Sequence, residues 1–321
     1  MRKNFLFSLA ILMVSFFVVS CSKEDDSSKE TGKRSEIVKE ENSKEEEIPN
    51  QENSNSSDNN SNQDNNNNNS AEGNTQEGSS TEKKNIFAYK AYVEDVTATW
   101  CHNCPRTLHA IERAKKVEVI NKKFVSVAVH YRDHMQVGNV SEVLSPLRTL
   151  HDSIRFESAV PWFRMNRNRY LYASNAHEHL DKYLQKKSTS PVGIKISSNL
   201  TQNGGKISVG FKFGESMNNL KYSVFIVEDK IIHSQTGGSY NFEHNDVLRA
   251  VYGNGAGNDL GSVNKDEEIT KNDLQVNYSL LSAGKLSNVK VVVFISDATT
   301  GEVLNVQEAK ANETKDYQYA E

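Results

Sequence analysis

The chain has 321 residues, 38 Lys and Arg against 42 Asp and Glu, a formal net charge of −4 and 36% hydrophobic residues. So mild an acidic balance, with no basic tract interleaved with aromatics, leaves no basis for a nucleic-acid partner. The three cysteines, Cys21, Cys101 and Cys104, exclude a framework of distant disulfides, so the folded part is stabilised by its cores.

Residues 1–20 read as a targeting segment. Arg2 and Lys3 give a positive start, and residues 5–19 are apolar apart from Ser8 and Ser15. That run is marginal for a membrane span. Val18-Val19-Ser20-Cys21 resembles the bacterial lipoprotein signal, which implies that Cys21 is acylated and becomes the mature N-terminus, anchoring the chain in a membrane. Ser22-Lys23-Glu24-Asp25-Asp26 resembles the signal that sends lipoproteins of Bacteroidota to the outer face of the outer membrane; a solvated, charged start to a tether is the alternative. Residues 21–85 are rich in Asn, Ser, Glu, Lys and Asp, with an unbroken asparagine run at 65–69. Such a segment cannot bury enough apolar surface to offset its ordering entropy. It reads as a disordered tether whose ends lie roughly 45 Å apart as a flexible coil.

Residues 86–189 alternate strand and helix. Strand patterns cover 86–96, 124–130 and the stretch from Val160; helical patterns cover 105–116, 141–156 and 175–185, with Pro146 placed to break the second. This predicts an α/β domain with a mixed sheet covered on both faces. From Pro191 the texture changes to strands at 191–199, 206–213, 220–232, 289–296 and 302–309, separated by Asn-Gly-Gly, Gly-Glu-Ser and similar turns. Residues 190–321 are therefore expected to form a second domain, an all-β sandwich of about seven strands.

The chemistry concentrates at Trp100-Cys101-His102-Asn103-Cys104-Pro105. A cysteine attacks a disulfide as thiolate, so its pKa must fall from about 8.5 towards neutrality. The unpaired N–H groups and positive dipole end of a helix N-terminus favour that form. Cys101 lies just ahead of the predicted helix and is the expected attacking residue; Cys104, opening it, is the resolving one, with a Cys101–Cys104 disulfide as the oxidised state. His102 adds a proton or charge nearby. The resolving thiol must lose its proton, and a buried carboxylate is suited to take it, because burial raises its pKa. Asp95 is the candidate, and strand alternation places only one of Glu94 and Asp95 inward.

The order Asp95, Trp100, Cys101, Cys104 resembles the thioredoxin superfamily, and Val160-Pro161 fits that superfamily's cis-proline. The resemblance implies a thioredoxin-like fold for residues 86–189, a cis Pro161, and a backbone at Val160 that pairs with a bound substrate strand, next to Trp100. His102-Asn103 departs from the Gly-Pro of reducing members, so redox direction does not carry over. A narrower resemblance rests on Val93-Glu94-Asp95-Val96-Thr97, on Val160-Pro161 with Asn166-Arg167, and on Tyr240-Asn241-Phe242-Glu243-His244-Asn245-Asp246-Val247-Leu248-Arg249-Ala250. These look like the Omp28-related outer-membrane protein family of Bacteroidota, which implies an outer-membrane lipoprotein, surface-exposed or facing the periplasm. Within that segment His244 reads as capping a turn and Arg249 as bridging the two domains.

Other constellations are weaker. His130 and His134, and His177-Glu178-His179, could supply imidazoles to a metal, but neither pair has assured ligand geometry, so no metal or cofactor is expected. A purely structural role for Cys101–Cys104 is weak, because closing so short a loop removes little chain entropy. Residues 253–261 are glycine-rich but lack the flanking pattern of a phosphate cradle. The leading expectation is thiol–disulfide exchange on protein or peptide partners. The alternative is a non-enzymatic adhesin or ligand-binding lipoprotein, using the same scaffold, in which the β-rich part binds.

Overall fold

The computed structural model describes residues 85–150 and 160–321; the signal segment, Cys21 and almost all of the tether lie outside the described residues. The first predicted strand forms as β1 (Phe87–Ala88) and β2 (Ala91–Thr97). Helix α1 (Pro105–Lys115) begins at the proline, whose missing N–H costs nothing in a first turn. Its buried Leu108, Ile111 and Ala114 recur at helical spacing. Helix α2 (Glu118–Asn121) leads into β3 (Phe124–His130), with the bounds predicted. Of the helix predicted over 141–156, residues 151–156 lie outside the described residues; the described part is broken into α3 (Val140–Val143) and α4 (Ser145–Leu150), with Pro146 in the first turn of the second piece. Strands β4 (Trp162–Met165) and β5 (Arg169–Tyr170), helix α5 (Ala176–Lys186) and β6 (Thr189–Ser190) follow.

The remainder is strand: β7 (Val192–Thr201), β8 (Gly204–Phe213), β9 (Met217–Glu228), β10 (Ile231–His233), β11 (Phe242–His244), β12 (Val247–Val251), β13 (Asn258–Val263), β14 (Glu268–Asn277), β15 (Val289–Asp297) and β16 (Val303–Lys310).

The expected fold class, an α/β thioredoxin-like domain followed by an all-β sandwich domain, is corrected by the pairing of these strands. One nine-stranded sheet runs β16-β15-β9-β12-β3-β2-β4-β5, with β13 alongside β9, so strands from both halves of the chain share a single sheet. Strand also outweighs helix among the described residues. The seam is the pairing of β12 with β3. It is parallel, registers Val247 opposite Ala128, and is extended by the Ala128 N–H donating to the Asp246 carbonyl at 2.8 Å. On its other edge β12 pairs antiparallel with β9.

The seam has an electrostatic cause. Asp246 is buried, and its carboxylate accepts from Lys115 of α1, Ser126 of β3 and Lys290 of β15. Burial alone would raise its pKa, but Lys290 and Lys115 outweigh that and hold it well below the usual carboxylate range. One carboxylate thus ties together elements from both halves of the chain. Arg249 does the same, donating to the Met135 carbonyl at 2.8 Å and to the Ser279 carbonyl at 3.1 Å, 3.5 Å from Glu228.

Both faces of the sheet are covered. Leu220, Tyr222, Val224 and Ile226 of β9 and Val289, Val291, Val293 and Ile295 of β15 pack against the separate three-stranded sheet β14-β8-β7. Phe225 and Val227, one residue out of phase, face the opposite layer with Val125, Val127 and Val129 of β3 and residues of α3 and α4. Beyond the seam, α1 and α5 replace the three-stranded sheet, packing on Ala91, Val93, Phe163 and Met165. Every residue of β2 and β3 is therefore buried; the C-terminal end of β2 delivers the chain to the cysteine turn, and that of β3 leads to Asp133, which accepts from the Thr99 N–H.

Candidate functional site

After β2 the chain turns tightly into α1. The Cys101 N–H donates to the Ala98 carbonyl at 3.1 Å, and the Cys104 N–H to the Cys101 carbonyl at 3.4 Å. Cys101 and Cys104 are joined in a disulfide with Cα atoms 5.4 Å apart. Cys104 caps α1, so the sulfur pair sits at the helix end that favours a thiolate. Both cysteines are buried, Cys101 at 5% exposure and Cys104 at 0%, so Cys101 is the less covered of the two.

Pro161 stands opposite. The Val160–Pro161 peptide bond is cis, and the Val160 carbonyl oxygen lies 3.5 Å from Cys101 Sγ. Val160 also packs against the small cluster of Ala98, Cys101 and Cys104. Trp100 is exposed, its ring held by Nε1 donating to the Arg132 carbonyl at 3.1 Å. His102 is exposed on the turn, and no hydrogen bond ties its ring to either sulfur.

Asp95 is fully buried behind the turn, and burial pushes its carboxyl up to about 7, partly offset by a hydrogen bond from Thr107. The Thr107 Oγ1 lies 2.9 Å from Asp95 Oδ2 and 2.8 Å from the Cys104 carbonyl oxygen, so one hydroxyl joins the acid to the start of α1. The other Asp95 oxygen, Oδ1, is buried with no hydrogen-bond partner. Glu94 is buried too, against the expectation that alternation would bury only one of the two acids. It points to the other covered face, where it pairs with Arg167 at 3.0 Å and accepts from Tyr92 at 2.8 Å.

Residues from the far side of the seam brace the cysteine turn. Gln235 Nε2 donates to the carbonyls of Ala98 at 3.1 Å and Cys101 at 3.0 Å, and the Thr236 N–H donates to the Thr99 carbonyl at 2.8 Å. Gly237 follows with φ +76°, and a Cβ there would fall 2.2 Å from the His102 carbonyl oxygen, so only glycine fits. Nothing in the local sequence marks these residues as part of the site. Thr107, three residues after Cys104, is the one omission a spacing argument reaches, since its hydroxyl bonds back to the i−3 carbonyl.

Asp133 supports the turn from a third direction, accepting from the Thr99 N–H at 2.8 Å and from His130 Nδ1 at 2.7 Å. Burial would raise its carboxyl, but His130 and the backbone N–H groups of Thr99 and Met135 outweigh that and hold it low. His244 is buried in β11 with its ring centroid 5.5 Å from that of His130, and burial, with His130 and His233, pushes its pKa down to about 4. It packs inside a strand rather than capping a turn. His134 stacks on His233, centroids 3.8 Å apart, and His177 lies in an exposed pairing with Glu178. Among the described residues no group of three or more His, Cys, Asp or Glu is placed to hold a metal. The glycine-rich residues 253–261 form a turn and the start of β13.

Fold and site together define a strand-rich protein whose mixed sheet presents an internal Cys-x-x-Cys disulfide at a helix N-terminus. The family model of outer membrane protein Omp28 matches residues 152–315, more than half of the chain, and the chain belongs to that family. Its place is therefore the outer membrane. The matched segment begins after both cysteines, so membership carries no statement about thiol chemistry. Among solved structures, HBP35 of Porphyromonas gingivalis aligns with a TM-score of 0.59 at 15% identity over 71% of this chain and 76% of that one, a likeness of fold alone. A domain of the outer membrane lipoprotein Omp28 from Porphyromonas gingivalis aligns with a TM-score of 0.28 at 20% identity over 38% of this chain and 89% of that one, too low to bear on the fold. No curated protein matches the chain. Among the described residues no helix is long and apolar enough to cross a membrane.

Proposed function

We propose that the Cys101–Cys104 pair exchanges disulfides with thiols of protein or peptide partners at the outer membrane. The observation that supports this most is the arrangement around Cys101, the less covered of the two cysteines, beside the Val160 carbonyl and backed by a buried acid whose pKa burial raises to about 7, where a group can both hold and release a proton near neutrality. A partner thiolate attacks Cys101 Sγ and the Cys101–Cys104 bond breaks. Cys104 leaves with the electron pair and takes the proton that Asp95 holds. A second partner thiolate then attacks the partner sulfur of the mixed disulfide and releases Cys101 as thiolate. Two electrons have passed from a partner dithiol to the cysteine pair. In reverse, the Asp95 carboxylate removes the Cys104 proton, Cys104 attacks Cys101, and a partner disulfide is reduced. Thr107 holds Asp95 to the turn, while Gln235 and Asp133 fix the backbone that presents Cys101. Display on the outer face is part of the proposal, supported by the Lys23-led acidic start and the long polar segment after it.

The test is a mixed-disulfide trap. In a Cys104→Ser chain the mixed disulfide at Cys101 cannot be resolved, so partners accumulate on it and are released by reductant. Absence of trapped partners, together with no activity in insulin reduction or in oxidative refolding of a reduced substrate, refutes the reading and leaves the binding-lipoprotein alternative.

A further inference from the structure

At the opposite end of β2 and β3 from the cysteines, a cavity of about 400 Å³ opens between the β1–β2 turn, the α2–β3 turn, β15, β16 and the C-terminal segment. Lys90, Lys122, Lys290, Lys310 and Lys315 converge on it from five separate stretches of chain, against Glu308 and Glu313. Their charges are not alike in situation. Lys290 is answered by Asp246, Asp229 and Glu308 at 3.8 Å or less. Lys122, Lys310 and Lys315 carry no ion pair among the described residues and are exposed at the rim.

Lys90 is the anomaly. It is half-buried, and its ammonium donates at 2.7 Å to the neutral amide of Gln307 rather than to a carboxylate. Burial lowers its pKa to about 8; Glu308 opposes that shift and the neighbouring Lys315 adds to it. Glu308 is shared with Lys290 at 3.8 Å, so it answers Lys90 only in part, and a partly desolvated ammonium among further cations is costly unless another anion completes the balance. The backbone beneath it is fixed: the Lys90 N–H donates to Asn305 Oδ1 at 2.9 Å, and Asn305 donates to the carbonyls of Ala88 and Val192. Compact ammonium point charges at several angles suit a ligand with several equivalent oxygens.

We propose that this cavity binds a phosphate group, with Lys90 at its floor and Lys310, Lys315 and Lys122 at its rim. The group belongs to a soluble phosphate-bearing molecule or to a phospholipid headgroup, which present the same oxygens. The cavity uses neither cysteine, and the proposal stands apart from the exchange reaction.

The test uses the chain carrying Cys21→Ser, so that acylation does not dominate membrane binding. Inorganic phosphate is titrated calorimetrically, and flotation is measured with phosphatidylcholine vesicles with and without phosphatidylglycerol. Removing one charge-assisted donor weakens binding by about tenfold or more, so Lys90→Met and, independently, the exposed Lys315→Glu each reduce whichever binding is present by at least that factor. Phosphate binding without flotation assigns a soluble ligand; flotation that requires phosphatidylglycerol and is lost in both variants assigns a headgroup. No binding in either arm, or binding that neither variant alters, overturns the proposal. Lys315→Glu lies on the exposed rim, so its loss of binding cannot be attributed to misfolding.

Discussion

Replacing Asp95 by Asn makes the protein more stable above neutrality and a poorer catalyst of exchange. The carboxyl is fully buried, and its pKa is raised from 3.8 to about 7, chiefly by burial. The folded state therefore holds a proton that the unfolded state has released between these two values. Because the folded pKa is the raised one, this contribution is fully present below about 3.8 and is lost as pH rises through about 7. At 1.36 kcal/mol per unit, a rise of about three units amounts to about 4 kcal/mol of destabilisation at pH 8, an upper figure before local relaxation. Asn keeps the size and cannot ionise. The variant should match the parent near pH 3 and exceed it progressively above pH 4, reaching about 2–4 kcal/mol at pH 8. In urea that is a midpoint shift of roughly 1 M. The assay is urea unfolding of both chains with the disulfide intact, in steps from pH 3 to pH 8. The same variant should slow resolution of a Cys101 mixed disulfide by about 10²-fold or more at pH 7, since a positioned acid–base group is worth that much. A stability difference that does not change with pH, or an Asp95 carboxyl that titrates below 5 by NMR, would falsify the argument.

Gly237→Ala should destabilise the chain by about 1–3 kcal/mol, because φ is positive and the new Cβ meets the His102 carbonyl; faster reduction of Cys101–Cys104 by dithiothreitol would accompany the lower urea midpoint. Asp246→Asn leaves Lys115 and Lys290 without their shared carboxylate and should cost about 3–5 kcal/mol at pH 7. The Asp246 pKa is depressed in the fold, so its stabilisation is present above about 3.8 and is lost as pH falls towards the folded value; the gap between variant and parent should close in acid. Ile226→Ala, in the layer between β9 and the three-stranded sheet, should cost about 2–5 kcal/mol with little effect on exchange kinetics.

Individual elements were legible wherever one face of the chain is strongly patterned. Strand β3 is an unbroken β-branched and aromatic run, and α1 carries Pro105 at its start with Leu108, Ile111 and Ala114 on one side. The strands that periodicity missed are polar or short. Strand β14 reads Glu-Ile-Thr-Lys-Asn-Asp-Leu-Gln-Val-Asn because it lies at the edge of the outer sheet, with most of its side chains in solvent. Alternation reports which residues share a face, but not which strand lies alongside. That is why β12, inside a segment whose role had no mechanism from sequence, was not recognised as the strand that joins the two halves. Asp95 stood out as an acid in an apolar strand. Glu94 did not, because its burial depends on the second face being covered by α3 and α4, a tertiary fact. Gln235 reaches the cysteine turn across the seam, and no local pattern announces it.

The seam also changes how the family match bears on the cysteines. The matched residues 152–315 contain neither sulfur, yet they supply Val160 and cis Pro161 beside Cys101, Gln235 and Thr236 on the turn's carbonyls, and Gly237 against His102. They also supply Asp246, which holds α1 through Lys115 and β3 through Ser126. The two cysteines are thus carried on a short turn whose geometry is set by the other half of the sheet. A fragment ending near residue 189 would keep both sulfurs and Asp95. It would lose the parallel neighbour of β3, the Gln235 donor and the partner of Lys115. Such a fragment should therefore fail to protect the disulfide from dithiothreitol as the whole chain does. Equal protection in both would mean that the cysteine turn is self-supporting and that the seam serves stability alone.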